Sequence, residues 1–254
     1  NIKMKHTNFP TMEKTKKELD FFEKLNKYME TGKGTSLDKF SNFAKYVPRQ
    51  TMTDFLARSE IFKKILNING SIVECGVLLG GGLMTYAQLS SIFEPVNHLR
   101  KIIGFDTFTG FSEFTKEDEV SECEFAHKGG LATYAESDIK KAIELYDENR
   151  FLGHIPKVQL VKGNAVKTIP TYLKKNPFTV VSLLYLDMDI YSPTKVALEQ
   201  FLPRMPKGSI IAFDELNTNM FAGETLALLD TIGIKNLKIE RFSYNSRISY
   251  AVLD

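Results

Sequence analysis

The 254-residue sequence contains no tryptophan, only two cysteines, no excess of either charge and no long apolar run. Spanning a bilayer as a helix takes roughly 20 consecutive apolar residues, and no stretch here comes near that, so a membrane partner is not expected. Cys75 and Cys123 lack metal-type spacing and have no histidine beside them. Cys75 sits in an apolar run and reads as a small core residue. Two unpaired thiols fit a reducing compartment, and a cytoplasmic protein is expected. With 33 Lys and Arg against 31 Asp and Glu, the net charge is +2, too balanced to indicate a nucleic-acid partner. The N-terminus has no apolar centre of the kind a signal peptide carries. It also lacks an initiator Met, which is the expectation for a fragment or a trimmed chain.

What is present is enough apolar material, 43% of residues, to build one large core. Residues 1–12 read as an irregular tail, and 13–30 carry apolar residues at a helical period. A second helix is expected from Thr51 or Thr53 to about Leu66. Strands and helices then alternate. The strands are SIVECGV (71–77), RKIIGFD (100–106), KVQLVKG (157–163), TVVSLLYLD (179–187) and GSIIAFDE (208–215). Helices follow at 81–93, 136–150, 165–175, from Pro193 and from Gly223. LKIERF and ISYAVLD close the chain as a hairpin. This alternation predicts an α/β fold with a mainly parallel sheet covered on both faces, an antiparallel C-terminal hairpin and a helical N-terminal extension over 1–66. Residues 112–135 form a long connection with a Gly-Gly pair. They read as a mobile cover over a ligand or as a surface insertion.

Two places carry chemistry. The first is the turn VECGVLLGGG (73–82) between the first strand and its helix. Gly76, Gly80 and Gly81 permit positive φ and close approach of a ligand, and a helix N-terminus offers unpaired N–H groups. The G-x-G-x-x-G spacing of a dinucleotide fingerprint is absent. Glu74 precedes the glycine instead, placed to meet an ammonium group such as that of a methionine moiety. Burying it without a partner would be costly. Asp106 ends the second strand, followed by Thr107, where a carboxylate can accept ribose hydroxyls; NAD and S-adenosylmethionine (SAM) both remain open. Gly163 and Asn164 after the third strand are placed to read an adenine.

The second place is a set of acids at two neighbouring strand ends: Asp187 and Asp189 in LLYLDMDIYSP, and Asp214 and Glu215 in IIAFDELN. Converging carboxylates repel one another unless something neutralises them. A hard divalent ion does so, and with no His or Cys present Mg²⁺, Mn²⁺ or Ca²⁺ is expected rather than zinc. Asp187, Asp214 and Glu215 are the expected ligands, and Asp187 the expected proton acceptor. Asp189 is expected to cap the following helix.

The segments VECGV with GGG, GFDTFTGF, LYLDMDIYSPTKVAL, LPRMPKGSIIAFDELN and GETLAL together resemble the macrocin O-methyltransferase (TylF-like) family, over roughly residues 40–230. That resemblance implies a class I methyltransferase (Rossmann-like) fold, bound SAM, a divalent metal (usually Mg²⁺), a sugar-like hydroxylated acceptor such as a sugar nucleotide or glycosylated metabolite, and a homo-oligomer. It puts the metal-binding and base aspartate on Asp187, the following acidic pair on Asp214 and Glu215, the ribose acid on Asp106 and the motif-one acid on Glu74. The usual pair is Asp-Asp, so Glu215 departs from it. Two other readings stay open: a non-catalytic SAM-binding protein with a degenerate metal site, and an NAD-type oxidoreductase, which the failed fingerprint disfavours.

Overall fold

Strands that are apolar at every position, rather than at every second one, are built to be buried on both faces. A computed structural model describes residues 15–254 of the chain; the expected N-terminal tail and the first two residues of the expected first helix lie outside them. The described residues form a seven-stranded sheet in the order β3-β2-β1-β4-β5-β7-β6. Its strands are β1 (Ser71–Cys75), β2 (Ile102–Asp106), β3 (Val158–Lys162), β4 (Val181–Leu186), β5 (Ile210–Phe213), β6 (Glu240–Phe242) and β7 (Asn245–Val252). The first five are mutually parallel, while β7 runs antiparallel to both β5 and β6. The expected parallel sheet and terminal hairpin are therefore both present.

The chain divides into two compact units at Thr53–Asp54, upstream of the 66/67 boundary expected from the sequence. In the smaller unit, α1 (Lys16–Thr31) opens on a reciprocal capping box between Thr15 and Glu18, and α2 (Ser36–Ser41) on one between Thr35 and Asp38. Tyr28 and Tyr46 stack there with ring centres 5.2 Å apart. Sequence periodicity does not show α2, because six residues are too few to display a helical period. The junction lies inside α3 (Arg49–Lys64). This helix begins before the expected Thr51 because Pro48 precedes it and its carbonyl accepts the first helical bond, from the Met52 N–H; the N–H that proline lacks has no role there.

In the larger unit, alternate residues of each strand feed two cores. Ile72, Leu183, Tyr185 and Ala212 face one side, packing with Ala57, Ile61 and Phe62 of α3, with Leu83 and Tyr86 of α4 (Gly81–Phe93) and with Ile139 of α5 (Glu136–Glu148). Val73, Cys75, Phe105, Leu184, Leu186 and Phe213 face the other. They pack with α6 (Ala165–Lys175), α7 (Tyr191–Phe201) and α8 (Gly223–Thr231), which contribute Ile169, Phe201 and Leu228 among others. Both cysteines are buried free thiols. No helix among the described residues is long and apolar enough to cross a membrane.

The connection between β2 and α5 shares a small core with the segment that precedes α8. Cys123, Met220 and Phe221 are buried together, with Phe111, Phe125 and Leu131 packed on them. Residues 115–123 are tied to the rest of the larger unit through Glu122 N–H to the Asn219 carbonyl (2.8 Å), Cys123 N–H to the Met220 carbonyl (3.2 Å) and Ala222 N–H to Ser121 Oγ (3.1 Å). His127 and Tyr134 are exposed.

Candidate active site

In a doubly wound sheet, ligands collect beyond the carboxyl ends of the strands where the strand order reverses. Here that point lies between β1 and β4. Sheet pairing continues one residue past the strands: Gly76 N–H bonds the Phe105 carbonyl (2.9 Å), Asp187 N–H the Cys75 carbonyl (2.8 Å) and Asp214 N–H the Leu186 carbonyl (3.0 Å). The glycine turn and the acids of both later strands therefore emerge side by side on one edge. Gly76 has φ +93°, and a Cβ on it would sit 1.7 Å from the carbonyl oxygen of Asp187, so only glycine lets the two strand ends meet. Gly80, at φ +86°, turns the chain into α4, and no side chain caps that helix. A Cβ on Gly81 would meet nothing within 4 Å. This leaves an open helix N-terminus beside the turn.

Glu74 is buried and has the partner its burial requires. Arg58 of α3 donates to Glu74 Oε1 at 2.7 Å, with the two side chains 9% and 2% exposed. A Cβ on Gly82 would lie 2.0 Å from that oxygen and 2.5 Å from Arg58 Nη1, so the last glycine of the turn makes room for the pair. The Arg58 guanidinium also lies over the Tyr185 ring, 3.8 Å from its centre, and 3.7 Å from Asp187 Oδ2. Glu74 Oε2 is buried without a hydrogen-bond partner among the described residues. Burial pushes the Glu74 carboxyl up to about 7, against the pull of Arg58.

The residues expected around the nucleoside hold the loops together. Asp106 Oδ2 accepts the N–H groups of Val77 (2.7 Å) and Leu78 (2.8 Å), and its Oδ1 that of Phe108 (2.6 Å). The carboxylate thus binds the glycine turn to the end of β2. Its oxygens offer about four acceptor sites in all, leaving room for a hydroxyl. Thr107 donates to the Gly110 carbonyl (2.7 Å). Gly163, at φ +130°, bonds the Asp106 carbonyl (2.8 Å). Asn164 is the N-cap of α6, its Oδ1 accepting the Val166 N–H at 3.0 Å.

The acidic cluster departs from expectation in two respects. Asp189 does not cap α7. The helix's first N–H, on Tyr191, goes instead to Asp118 Oδ1 (2.8 Å) from the β2–α5 connection, and no cap bond comes from the residues just before the helix. Asp189 is buried at φ +64° and belongs electrostatically to the cluster: burial, then Glu215 and Asp214, hold its carboxyl well above the usual range. The second departure is the neutralising charge. Arg247 of β7 binds Asp214 Oδ2 and Glu215 Oε1 through one nitrogen, the latter at 3.0 Å, and Tyr185 donates to Asp214 Oδ1 at 2.7 Å. Burial raises Asp214, but Arg247 and Arg58 outweigh it and hold this carboxyl below the usual range. Among the described residues, no group of three or more His, Cys, Asp and Glu side chains is placed to hold a metal ion. With Asp214 committed to a guanidinium and a phenol, the trio expected as ligands does not fit one as arranged. Asp187 keeps 31% of its side chain exposed, within reach of a substrate. Burial, then Asp214 and Asp189, raise its carboxyl well above the usual range.

The sequence profile of the macrocin O-methyltransferase family (TylF) matches residues 7–227. The chain belongs to that family. As a TylF-family protein it is a SAM-dependent O-methyltransferase. It is similar to the crystal structure of CalS11, a calicheamicin methyltransferase, at 32% identity and TM-score 0.90, over 94% of this chain and 93% of that one. An apo structure of CalS11, described as a TDP-rhamnose 3'-O-methyltransferase in calicheamicin biosynthesis, matches at 32% identity and TM-score 0.81, over 94% and 95%. The O-methyltransferase NovP shares the fold at 18% identity, TM-score 0.60 and 79% of each chain. None of the curated proteins matches.

Within this TylF-family site, several residues have no local signal in the sequence. Arg247 is one of 33 basic residues and is found only through the fold, as is the pairing of Arg58 with Glu74. Glu224, in the GETLAL segment, is fully buried. Its Oε2 accepts the Glu215 N–H (3.1 Å), its Oε1 has no partner among the described residues, and burial holds it well above the usual range.

Proposed function

We propose that this chain transfers the methyl group of SAM to a hydroxyl of a sugar unit, carried on a nucleotide or on a glycosylated metabolite. The observation that carries this reading is the 32% identity, spread over nearly the whole of both chains, to a TDP-rhamnose 3'-O-methyltransferase. The geometry supports it. The unpartnered Oε2 of Glu74 suits the ammonium of the methionine moiety, and the open N-terminus of α4 suits its carboxylate. Asp106 and Thr107 stand toward the ribose, and Gly163 and Asn164 toward the adenine. Asp187, half-buried beside the glycine turn, accepts the proton as the substrate oxygen attacks the sulfonium methyl in line. The new O–CH₃ bond replaces the S–CH₃ bond, giving S-adenosylhomocysteine, a methyl ether and a proton. Positioning of the two substrates supplies much of the rate, and the base adds about 10²–10⁴-fold. With Arg247 on Asp214 and Glu215, the trio expected to hold a divalent ion does not fit one as arranged, and the reaction as proposed runs on the protein's own groups.

Titration calorimetry with S-adenosylhomocysteine, followed by methyl transfer to TDP-rhamnose and related nucleotide sugars, tests the proposal. Binding and a mass gain of one methyl are expected. No binding of S-adenosylhomocysteine would sink it, and binding without transfer to any sugar hydroxyl would favour the non-catalytic reading.

Glu74 gives this reading a pH signature. An ammonium is held by the ionised carboxylate, and Glu74 is ionised only above about 7. SAM affinity should therefore fall by about tenfold per unit as pH drops below that value. The Glu74→Gln variant should bind weakly with a flat profile. A wild-type affinity unchanged between pH 7 and 5.5 would remove Glu74 from the role.

A further inference from the structure

We propose that Arg247 is the resident counter-cation of the acidic cluster and competes with divalent ions for Asp214 and Glu215. The fold puts it there. β5 and β7 pair antiparallel with Phe213 opposite Ser249, so two residues further along Arg247 comes level with Glu215. One guanidinium nitrogen then bridges both carboxylates. Glutamate at 215 belongs to this arrangement, since its extra methylene carries Oε1 onto the nitrogen that Asp214 already holds. Asn245 fixes the backbone beneath, its Oδ1 accepting the Arg247 N–H at 3.0 Å and its amide donating to Asp54 Oδ1 at 2.6 Å.

The cluster calls for a cation. Asp187, Asp189, Asp214 and Glu215 converge, and fully buried Glu224 stands against them with one oxygen unpartnered. A divalent ion draws carboxylate oxygens into its own shell at about 2.0–2.6 Å, and those oxygens cannot also serve a guanidinium. The two cations also repel each other. Arg247 is anchored at its charged end, yet 54% of its side chain is exposed, so it can swing out along the solvent side. Ion and arginine are alternatives at one place.

The test is Mn²⁺ binding to the full chain without SAM, read from the free-ion electron paramagnetic resonance signal. It does not depend on the methyl-transfer reading, which SAM calorimetry checks separately. Arg247→Gln should bind Mn²⁺ about tenfold or more tightly than wild type, and adding Asp214→Asn should abolish the gain. Glu215→Asp retains the arginine but shortens the carboxylate away from it; it too should gain about tenfold, and it decides the matter if Arg247→Gln does not fold. Equal Mn²⁺ affinity in wild type and the folded variants would overturn the proposal.

Discussion

Replacing Asp187 by Asn is expected to lower turnover by about 10²–10⁴-fold, the range lost when a positioned base is removed, while SAM affinity changes little. The amide keeps the shape of the side chain and cannot take a proton. Its backbone role is untouched, since the bond to the Cys75 carbonyl uses the main-chain N–H. The methionine moiety is assigned to Glu74 and the α4 N-terminus, so cofactor binding should survive. Single-turnover methyl transfer with calorimetry on the same preparation separates the two effects. Turnover within tenfold of wild type would reject Asp187 as the proton acceptor.

The largest effect on stability should come from Arg58→Met. Breaking a buried ion pair from one side typically costs about 3–5 kcal/mol where the remaining group stays charged; Glu74 is held up to about 7 even beside Arg58, so the full loss is expected in alkaline buffer and a smaller one where the carboxyl takes up a proton. Here the remaining group is Glu74, 2% exposed, in a strand at the centre of the sheet. The variant also loses the guanidinium over Tyr185 and the cation nearest Asp187. Urea unfolding should show the loss as a lower midpoint. The double variant Arg58→Met with Glu74→Gln should recover part of it, since an apolar group beside a neutral amide leaves no buried charge. A single variant within about 1 kcal/mol of wild type would mean that the pair carries no more weight than a surface one.

Much of the fold was legible because burial on both faces writes itself into the strands. Val181–Leu186 is apolar apart from Ser182, and an acid marks where it reaches the edge. The glycine turn was equally readable, since Gly76 and Gly80 answer to backbone geometry that other residues meet only with strain. What escaped was the long-range pairing. Nothing near Glu74 in sequence names its partner sixteen residues upstream, and nothing in IIAFDELN announces an arginine in the final hairpin. The convergence of carboxylates pointed to a neutralising cation, yet composition could not say that a side chain would supply it. Asp189 stood just before a helix and looked like its cap, but the N–H in question was already satisfied by Asp118, distant by 73 positions.

That last bond constrains any exchange of the β2–α5 connection between relatives. Asp118 divides its carboxylate: one oxygen closes its own turn through Thr115 and the other receives the leading N–H of α7. Gly223 keeps that spot clear, for a Cβ there would fall 2.7 Å from the Asp118 oxygen and 2.3 Å from the Tyr191 nitrogen. A chimera that imports a foreign loop without an aspartate in register, or pairs the native loop with a bulkier residue at 223, inherits a frayed helix directly behind Asp187 and Asp189. In such grafts the loop, the start of α7 and the start of α8 have to travel as one cassette.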